Sequence, residues 1–280
     1  MEEVAYLVNS TPAYYYLLPL HFTLVRRYAP FVEHLFLATE VPDHPICQQV
    51  VKEHGVKLIP LELKDAGFLA SRAAALKVLK ELELPYVLPV QEDFLVDRIP
   101  DMGSLCEAVI ILEASQGKLA SARLMPCPGA KGAMIAASPL WAALGPETDE
   151  YGFTYQATLW STEACWAWYE ALQIRVEETW PAVGLQERAN IEIRLNVAEN
   201  ADGQRFFWKF FKARGQDHIG WIRSGSWSNA VYLSPWPYRP TAIVKGRLEA
   251  WAIELAKREG VALETPPTSP VGVNDLGRGY

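Results

Sequence analysis

The sequence predicts an α/β fold: a mostly parallel sheet flanked by helices, followed by a less regular C-terminal half. Three observations carry this. The first 100 residues alternate short apolar runs with helix-like stretches, the order that builds a parallel sheet through right-handed crossovers. Tyr86, Val87, Leu88 and Val90 form a short apolar run, as a strand buried on both faces reads. Half of the 280 residues are hydrophobic, with 10 Trp, 12 Tyr and 10 Phe, which is ample for a large core.

Taken in order, Val4–Val8 reads as the first strand, closed by the turn and helix-capping residues Asn9-Ser10-Thr11-Pro12. Tyr14–Tyr28 reads as a helix in which Pro19 is either a kink or a late start. Leu35–Ala38 is a second strand, Pro45–His54 a helix closed by Gly55, and Val56–Leu61 a third strand. Phe68–Leu82 is an amphipathic helix with Leu69, Ala73, Leu76 and Leu79 on its apolar face and Arg72 elsewhere. In the strand that follows, Pro89 removes a ladder donor, so a bulge or interruption is expected there.

Further on, Met102–Ser115 reads as a helix, Leu119–Met125 as a strand, Met134–Ala137 as a short strand and Thr162–Leu172 as a Trp-rich helix. Gly184–Asn200 fits two periods. Leu185, Ala189, Ile193 and Val197 recur every four residues, while Ile191, Ile193, Leu195 and Val197 alternate; the helix formers from Gln186 to Ala189 tip the reading to helix. Gln204–Phe211 reads as an aromatic strand, His218–Trp236 as irregular, Lys245–Glu259 as a helix ended by Gly260, and Glu264–Tyr280 as a poorly ordered tail.

Composition removes several function classes. A net charge of −7 with no Lys/Arg run argues against nucleic acid. The acidic start MEEVAYLVNS lacks the basic region of a secretory signal, and no apolar stretch reaches the ~18 residues a membrane span needs. Cys47, Cys106, Cys127 and Cys165 form no CxxC pair, which fits reduced, buried thiols and a cytoplasmic protein. GxGxxG after the first strand, GxxxxGK[ST] and GxSxG are all absent, and so is a glycine-rich pyrophosphorylase signature.

The strongest chemical feature is Gln91-Glu92-Asp93, three polar residues where the apolar strand ends. Adjacent carboxylates there are costly unless a cation meets them. Ligands of open α/β sheets bind at this edge, and Mg²⁺ or Mn²⁺ takes carboxylate oxygens together with substrate phosphates. Gln91-Glu92-Asp93-Phe94 after a hydrophobic strand resembles the acidic metal motif of GT-A-type glycosyltransferases, which transfer a sugar from a nucleotide-sugar. Asn9-Ser10-Thr11 at the first strand end, Glu40 at the second and Arg72 before the acidic strand also resemble that family's donor-contacting positions.

In the second half, Tyr155 to Trp160, Glu177 to Trp180, Trp236 to Tyr238 and Ala242 to Gly246 are similar to stretches of viral and bacterial GT-A-like transferases. The likeness touches most of residues 4–258 and departs between Trp180 and Glu187, where extra residues leave the base open. The resemblance implies one domain over 1–262, with a nucleotide-binding half (1–100) and an acceptor-side half (101–262), and a flexible tail over 263–280. It implies a nucleotide-sugar donor, UDP-linked by first expectation, a carbohydrate or other hydroxyl acceptor, and a Mn²⁺ or Mg²⁺ cofactor.

Within that reading Asp93 is the metal ligand, with Glu92 beside it or on the ribose, and Gln91, Arg72, Glu40, Asn9, Ser10 and Thr11 contact the donor. His218 is a candidate to complete the metal shell. Glu187 is preferred to Glu192 as base because it lies near the start of the expected helix, where the dipole favours an ionised carboxylate. Five residues apart on a helix the two diverge by about 140°, so one alone faces the acceptor. Trp221, Trp227, Tyr232, Trp236 and Tyr238 form either a sugar-stacking wall, a core or a dimer contact. Two alternatives stay open: a non-catalytic nucleotide-sugar-binding relative, and another metal-dependent nucleotide enzyme such as a nucleotidyltransferase.

Overall fold

In the central sheet β1 (Val4–Asn9) is flanked by parallel neighbours, β2 (His34–Thr39) and β4 (Tyr86–Gln91), with β3 (Lys57–Pro60) beyond β2. The computed structural model describes residues 2–62, 67–125, 129–135, 138–147, 149, 151–179, 201–222, 233–239, 241–244 and 247–263. On the far side of β4 the same sheet continues through β8 (Thr158–Ser161), β6 (Leu119–Arg123), β9 (Asp217–Trp221) and β7 (Trp141–Leu144). β8 runs antiparallel to β4 and β6, and β7 antiparallel to β9, so the eight-stranded sheet is mixed but mostly parallel. The expected fold class holds.

Both faces of the sheet are covered, and β1 shows how. Val4, Tyr6 and Val8 point into one layer, with Ala5 and Leu7 in the other. The first layer contains α1 (Leu18–Tyr28), α2 (Pro45–His54), α4 (Met102–Ala114) and α7 (Ala250–Glu259). The second contains α3 (Phe68–Glu81), α5 (Thr162–Thr179) and α6 (Ala201–Ala213). Leu69, Ala73, Leu76 and Leu79 of α3 are all buried, as their spacing requires. Gly55 closes α2 with φ 66°, a left-handed conformation that suits glycine. The bulge expected at Pro89 does not occur toward β1, where the register runs unbroken through Leu7 and Pro89; on the other side the ladder to β8 ends at Val87, two residues short of it.

Of the two readings of Pro19 the late start holds: the stretch opens as a 3-10 helix, Pro12–Leu17, and Pro19 sits in the first turn of α1, where its missing N–H costs nothing. Three expectations are corrected. Gln204–Phe211 belongs to α6 and is not a strand: Phe207 and Phe211, four apart, are buried on one face. His218 is not in an irregular segment but on β9. The last helix begins at Ala250, not Lys245. Ahead of it β11 (Ile243–Val244) pairs with β12 (Arg247–Leu248), while β10 (Tyr238–Arg239) pairs with β5 (Leu95–Val96). β7 was not foreseen, and Met134 makes a single bridge to Ala142. The 184–200 stretch and the 264–280 tail lie outside the described residues.

The second layer is an aromatic block. Phe207 contacts Trp168 at 5.1 Å between ring centroids, Phe211 at 4.9 Å and Phe153 at 6.0 Å. Gln204 ties α6 to the loop before β8, accepting from the N–H groups of Gly152 and Phe153 and donating to the Phe153 carbonyl. A Cβ on Gly152 would lie 2.5 Å from the Trp208 ring, so this close approach needs glycine. Phe207→Ala should cost about 3–5 kcal/mol. Ile110→Ala, on the exposed side of α4, should change stability by less than about 0.5 kcal/mol. Urea denaturation of the two variants checks this, and equal midpoints would contradict the assigned burial.

Candidate functional site

Strand order defines where a ligand enters. From β1 the chain steps outward to β2 and β3, then returns to place β4 on the other side of β1. The crevice at the carboxyl ends of β1 and β4 is therefore the switch point of the sheet. Asn9 and Gln91 are register partners there.

Beyond Gln91 the chain makes a tight turn, closed by the Phe94 N–H on the Gln91 carbonyl at 3.1 Å. Its two central residues are Glu92 and Asp93. Turn apices are ordinarily wet, yet both of these are buried. His21 of α1 lies below, with Nδ1 2.9 Å from the Glu92 carbonyl oxygen. From the C-terminal segment, Ala242 N–H donates to the Asp93 carbonyl at 3.0 Å and Ile243 N–H to the Asp93 carboxylate. Phe94 stacks on Tyr238, centroids 5.0 Å apart.

Burial controls the charge of this pair. Desolvation first, then repulsion from Asp93, pushes the Glu92 carboxyl up to about 8, although Arg72 pulls the other way. Desolvation pushes Asp93 up to about 7, against the hydrogen bond from Ile243. Tyr14 and Tyr16 of the 3-10 helix face the same carboxylates: burial and the two acids raise both phenols, Tyr16 to about 12.

Arg72 approaches from the other layer. It is buried, and burial lowers its pKa. Its Nη2 donates to the Val90 carbonyl at 3.0 Å, and its guanidinium lies over Phe68 at 5.1 Å and Tyr169 at 6.0 Å. Nε and Nη1 are buried without a hydrogen-bond partner, as are both amide atoms of Asn9, Ser10 Oγ and Tyr16 Oη. Buried polar atoms left unpaired cost free energy, so this concentration at one strand end marks a place built for a polar ligand.

The described structure thus brings together Asn9, Ser10, Arg72, Gln91, Glu92 and Asp93. Gln91 is half-buried at the end of β4. Thr11 is exposed at the start of the 3-10 helix and makes no side-chain capping bond. Glu40 is half-buried just past β2, within electrostatic reach of Tyr15. His218 is not brought to the turn. It sits in the aromatic block, its ring 4.4 Å from Phe211 and 4.6 Å from Phe207, with Nδ1 2.8 Å from Ser121 Oγ. Burial lowers its pKa to about 3. The glycines and serines after it suggested a loop, but β6 and β7 enclose it. Glu187 and Glu192 lie outside the described residues, as do Trp227 and Tyr232.

Sequence reasoning missed three residues. The Tyr14-Tyr15-Tyr16 run directly after the first strand was a usable signal for Tyr14 and Tyr16. Nothing local marked His21. Gln156 lies in the Tyr155 to Trp160 stretch noted in the sequence; its Oε1 accepts from the Tyr238 hydroxyl while that hydroxyl takes the Ala157 N–H at 3.3 Å.

Among the described residues no group of three or more His, Cys, Asp or Glu side chains is gathered around one point as a metal cluster. Glu92 and Asp93 still suit a divalent cation. Mg²⁺ and Mn²⁺ bind through one or two carboxylates and take their other ligands from phosphates and water. A cation would also offset the desolvation that raises both carboxyls and the repulsion that Asp93 adds at Glu92.

No family model matches the chain, and no curated protein matches it. Among solved structures it is similar to a cytidylyltransferase from Leptospira borgpetersenii, with 13% identity and a TM-score of 0.43 over 92% of this chain and 95% of that one. It is similar to 4-diphosphocytidyl-2C-methyl-D-erythritol synthase from Anaerococcus prevotii, with 11% identity and a TM-score of 0.43 over 81% and 88%. It is also similar to TarS 1-349 of S. aureus in complex with UDP-GlcNAc, with 16% identity and a TM-score of 0.39 over 57% of this chain and 45% of that one. Likenesses at this level assign neither a reaction nor a substrate. No helix among the described residues is long and apolar enough to cross a membrane.

The pair predicts a pH dependence of stability. Both carboxyls have folded pKa values raised above their ordinary 4.5 and 3.8, so the folded state binds more protons than the unfolded one. Their contribution is complete below about pH 4 and is lost as pH rises through about 7 to 8. Glu92→Gln and Asp93→Asn should therefore raise the melting temperature at pH 8.5 and do so much less at pH 4. A gap that stays constant across that range in thermal melts would show that the carboxyls are not buried as described.

Proposed function

We propose that this chain is a metal-dependent glycosyltransferase that moves a sugar from a nucleoside-diphosphate sugar, UDP-linked by first expectation, to a hydroxyl acceptor with inversion. One observation carries the reading. A buried carboxylate pair and a buried guanidinium meet unpartnered atoms of Asn9, Ser10 and Tyr16 at the switch point of the sheet.

In this reading Asn9, Ser10, Thr11 and Glu40 bind the nucleoside. Arg72 and Gln91 hold the ribose and diphosphate, and Glu92 lies beside the metal or on the ribose. Asp93 holds the divalent ion, which when bound supplies Lewis acidity to the leaving diphosphate. Arg72, with two unpaired nitrogens, adds positive charge where negative charge develops. Glu187, or Glu192 in its place, takes the proton of the acceptor hydroxyl as that oxygen bonds to the anomeric carbon and the bond to the diphosphate breaks.

Nucleotidyl transfer uses carboxylate pairs too. Sugar transfer is supported by the exit from β1, which runs through Asn9-Ser10-Thr11-Pro12 into a 3-10 helix containing three tyrosines, not into a glycine-rich phosphate loop.

A thermal-shift series with UDP and UDP-glucose, with and without Mn²⁺, tests the donor site, since a ligand of the folded state raises the melting temperature by mass action. The larger shift should appear with Mn²⁺, and Asp93→Ala should abolish the difference. Equal shifts with and without metal would remove Asp93 from this role. Release of pyrophosphate from CTP or UTP plus a sugar phosphate would move the reaction to nucleotidyl transfer.

For the base, Glu187→Gln should cut turnover ~10²–10⁴-fold with donor affinity little changed. Full activity in Glu187→Gln with loss in Glu192→Gln reassigns the base. Activity in both places it elsewhere, or makes the enzyme retaining.

A further inference from the structure

His21 lies in α1, only 1% exposed, directly against the acidic turn. Its ring is bonded on both sides: Nδ1 is 2.9 Å from the Glu92 carbonyl oxygen, and Nε2 is 2.9 Å from the Tyr6 hydroxyl. A carbonyl only accepts, so Nδ1 carries the proton. Nε2 of the neutral ring is then the acceptor, and the Tyr6 hydroxyl donates to it. Tyr6 sits in the middle of β1, in register with Leu35 and Leu88, and its ring leans on Trp236 at 5.4 Å. A continuous connection therefore runs from the centre of the sheet through two side chains to one carbonyl of the turn.

That carbonyl is the sensitive one. Of the turn's three successive carbonyls, Gln91's takes the Phe94 N–H and Asp93's takes the Ala242 N–H. Glu92's relies on His21. In a four-residue turn the central peptide, here Glu92 C=O and Asp93 N–H, is the unit that flips between the type I and type II forms. Neither Glu92 nor Asp93 has a positive φ, so the peptide stands in the type I sense. A flip would need a positive φ at Asp93 and would swing the backbone that carries both carboxylates.

We infer that His21 is a positioning residue for the cation site: by holding the Glu92 carbonyl it locks the central peptide of the turn, so that the Glu92 and Asp93 carboxylates face one divalent ion. This rests on the metal-dependent reading above. It assigns His21 no proton transfer and no contact with metal or substrate, since both ring nitrogens are occupied.

Two substitutions separate the two bonds. Asn carries its amide nitrogen where His carries Nδ1, so His21→Asn keeps the donor to Glu92. Gln reaches the Nε2 position, so His21→Gln keeps the partner for Tyr6 and loses the donor to the turn. Mn²⁺ alone is titrated by calorimetry into the full chain at pH 8, with a parallel series containing UDP, and each variant's melting temperature is recorded. Both variants should melt lower than wild type. His21→Gln should bind Mn²⁺ about 10–100-fold more weakly, the usual loss when a group that orients a ligand is removed, while His21→Asn stays within about threefold.

If His21→Gln binds Mn²⁺ as wild type does, or His21→Asn is as weak as His21→Gln, the inference is overturned while the glycosyltransferase reading stands. If wild type binds no Mn²⁺ with or without UDP, that reading fails and the inference falls with it. Should His21→Gln not fold, Tyr6→Phe takes its place. It removes only the hydroxyl that selects the tautomer, and should weaken Mn²⁺ binding several-fold. Unchanged affinity in Tyr6→Phe then counts against the inference.

Discussion

Two neighbouring carboxylates in a place closed to water set the terms for what surrounds them. Glu92 and Asp93 lose hydration and repel each other. A turn carrying them would swing outward to solvent unless held. It is held from below by His21, from above by Ala242 and Ile243, and at its end by the stacking of Phe94 on Tyr238. Each contact fixes backbone or ring and leaves the acids in place at a cost to stability. Proteins keep such costs at functional sites, where charge poised for a ligand matters more than the energy of the empty fold.

The two layers on the sheet play unequal parts. From the α1 side come the turn's supports and the tyrosines. From the α3 side comes one cation, Arg72, which crosses to the Val90 carbonyl and stands within reach of Glu92. Behind it lies the aromatic block of Phe153, Trp160, Trp168, Phe207 and Phe211. A guanidinium lying over rings keeps part of its stabilisation when it leaves water, and two of its nitrogens stay available. His218 belongs to this block, so its burial serves the rigidity of the wall.

The first half of the fold was legible because its signals are local. Apolar runs closed by capping residues or glycine give β1 to β4 and the helices between them with ends shifted by a residue or two. The exception is the 3-10 entry to α1. Gln91 to Phe94 also stood out locally. Elsewhere local signals failed for physical reasons. In α6, five aromatics in six residues have strong strand propensity, and only the four-residue spacing of Phe207 and Phe211 reveals the buried face. Arg72 lies off the apolar stripe of α3, and periodicity cannot separate a face in solvent from one in a cleft. His21 and the pairing of Tyr238 with Gln156 depend on partners distant in sequence, which no window contains.

The C-terminal clasp bears on the order in which the chain acquires its site. Arg239 meets Asp97 from 142 positions away, and Glu259 meets Arg27 from 232. Contacts of such separation close large loops and form late. During synthesis the strands that frame the crevice emerge first, and the acidic turn stays wet, with carboxylates near their ordinary pKa values, until the segment from Tyr238 to Leu248 leaves the ribosome. The electrostatic character of the site is therefore a property of the finished chain and is absent from its nascent N-terminal half.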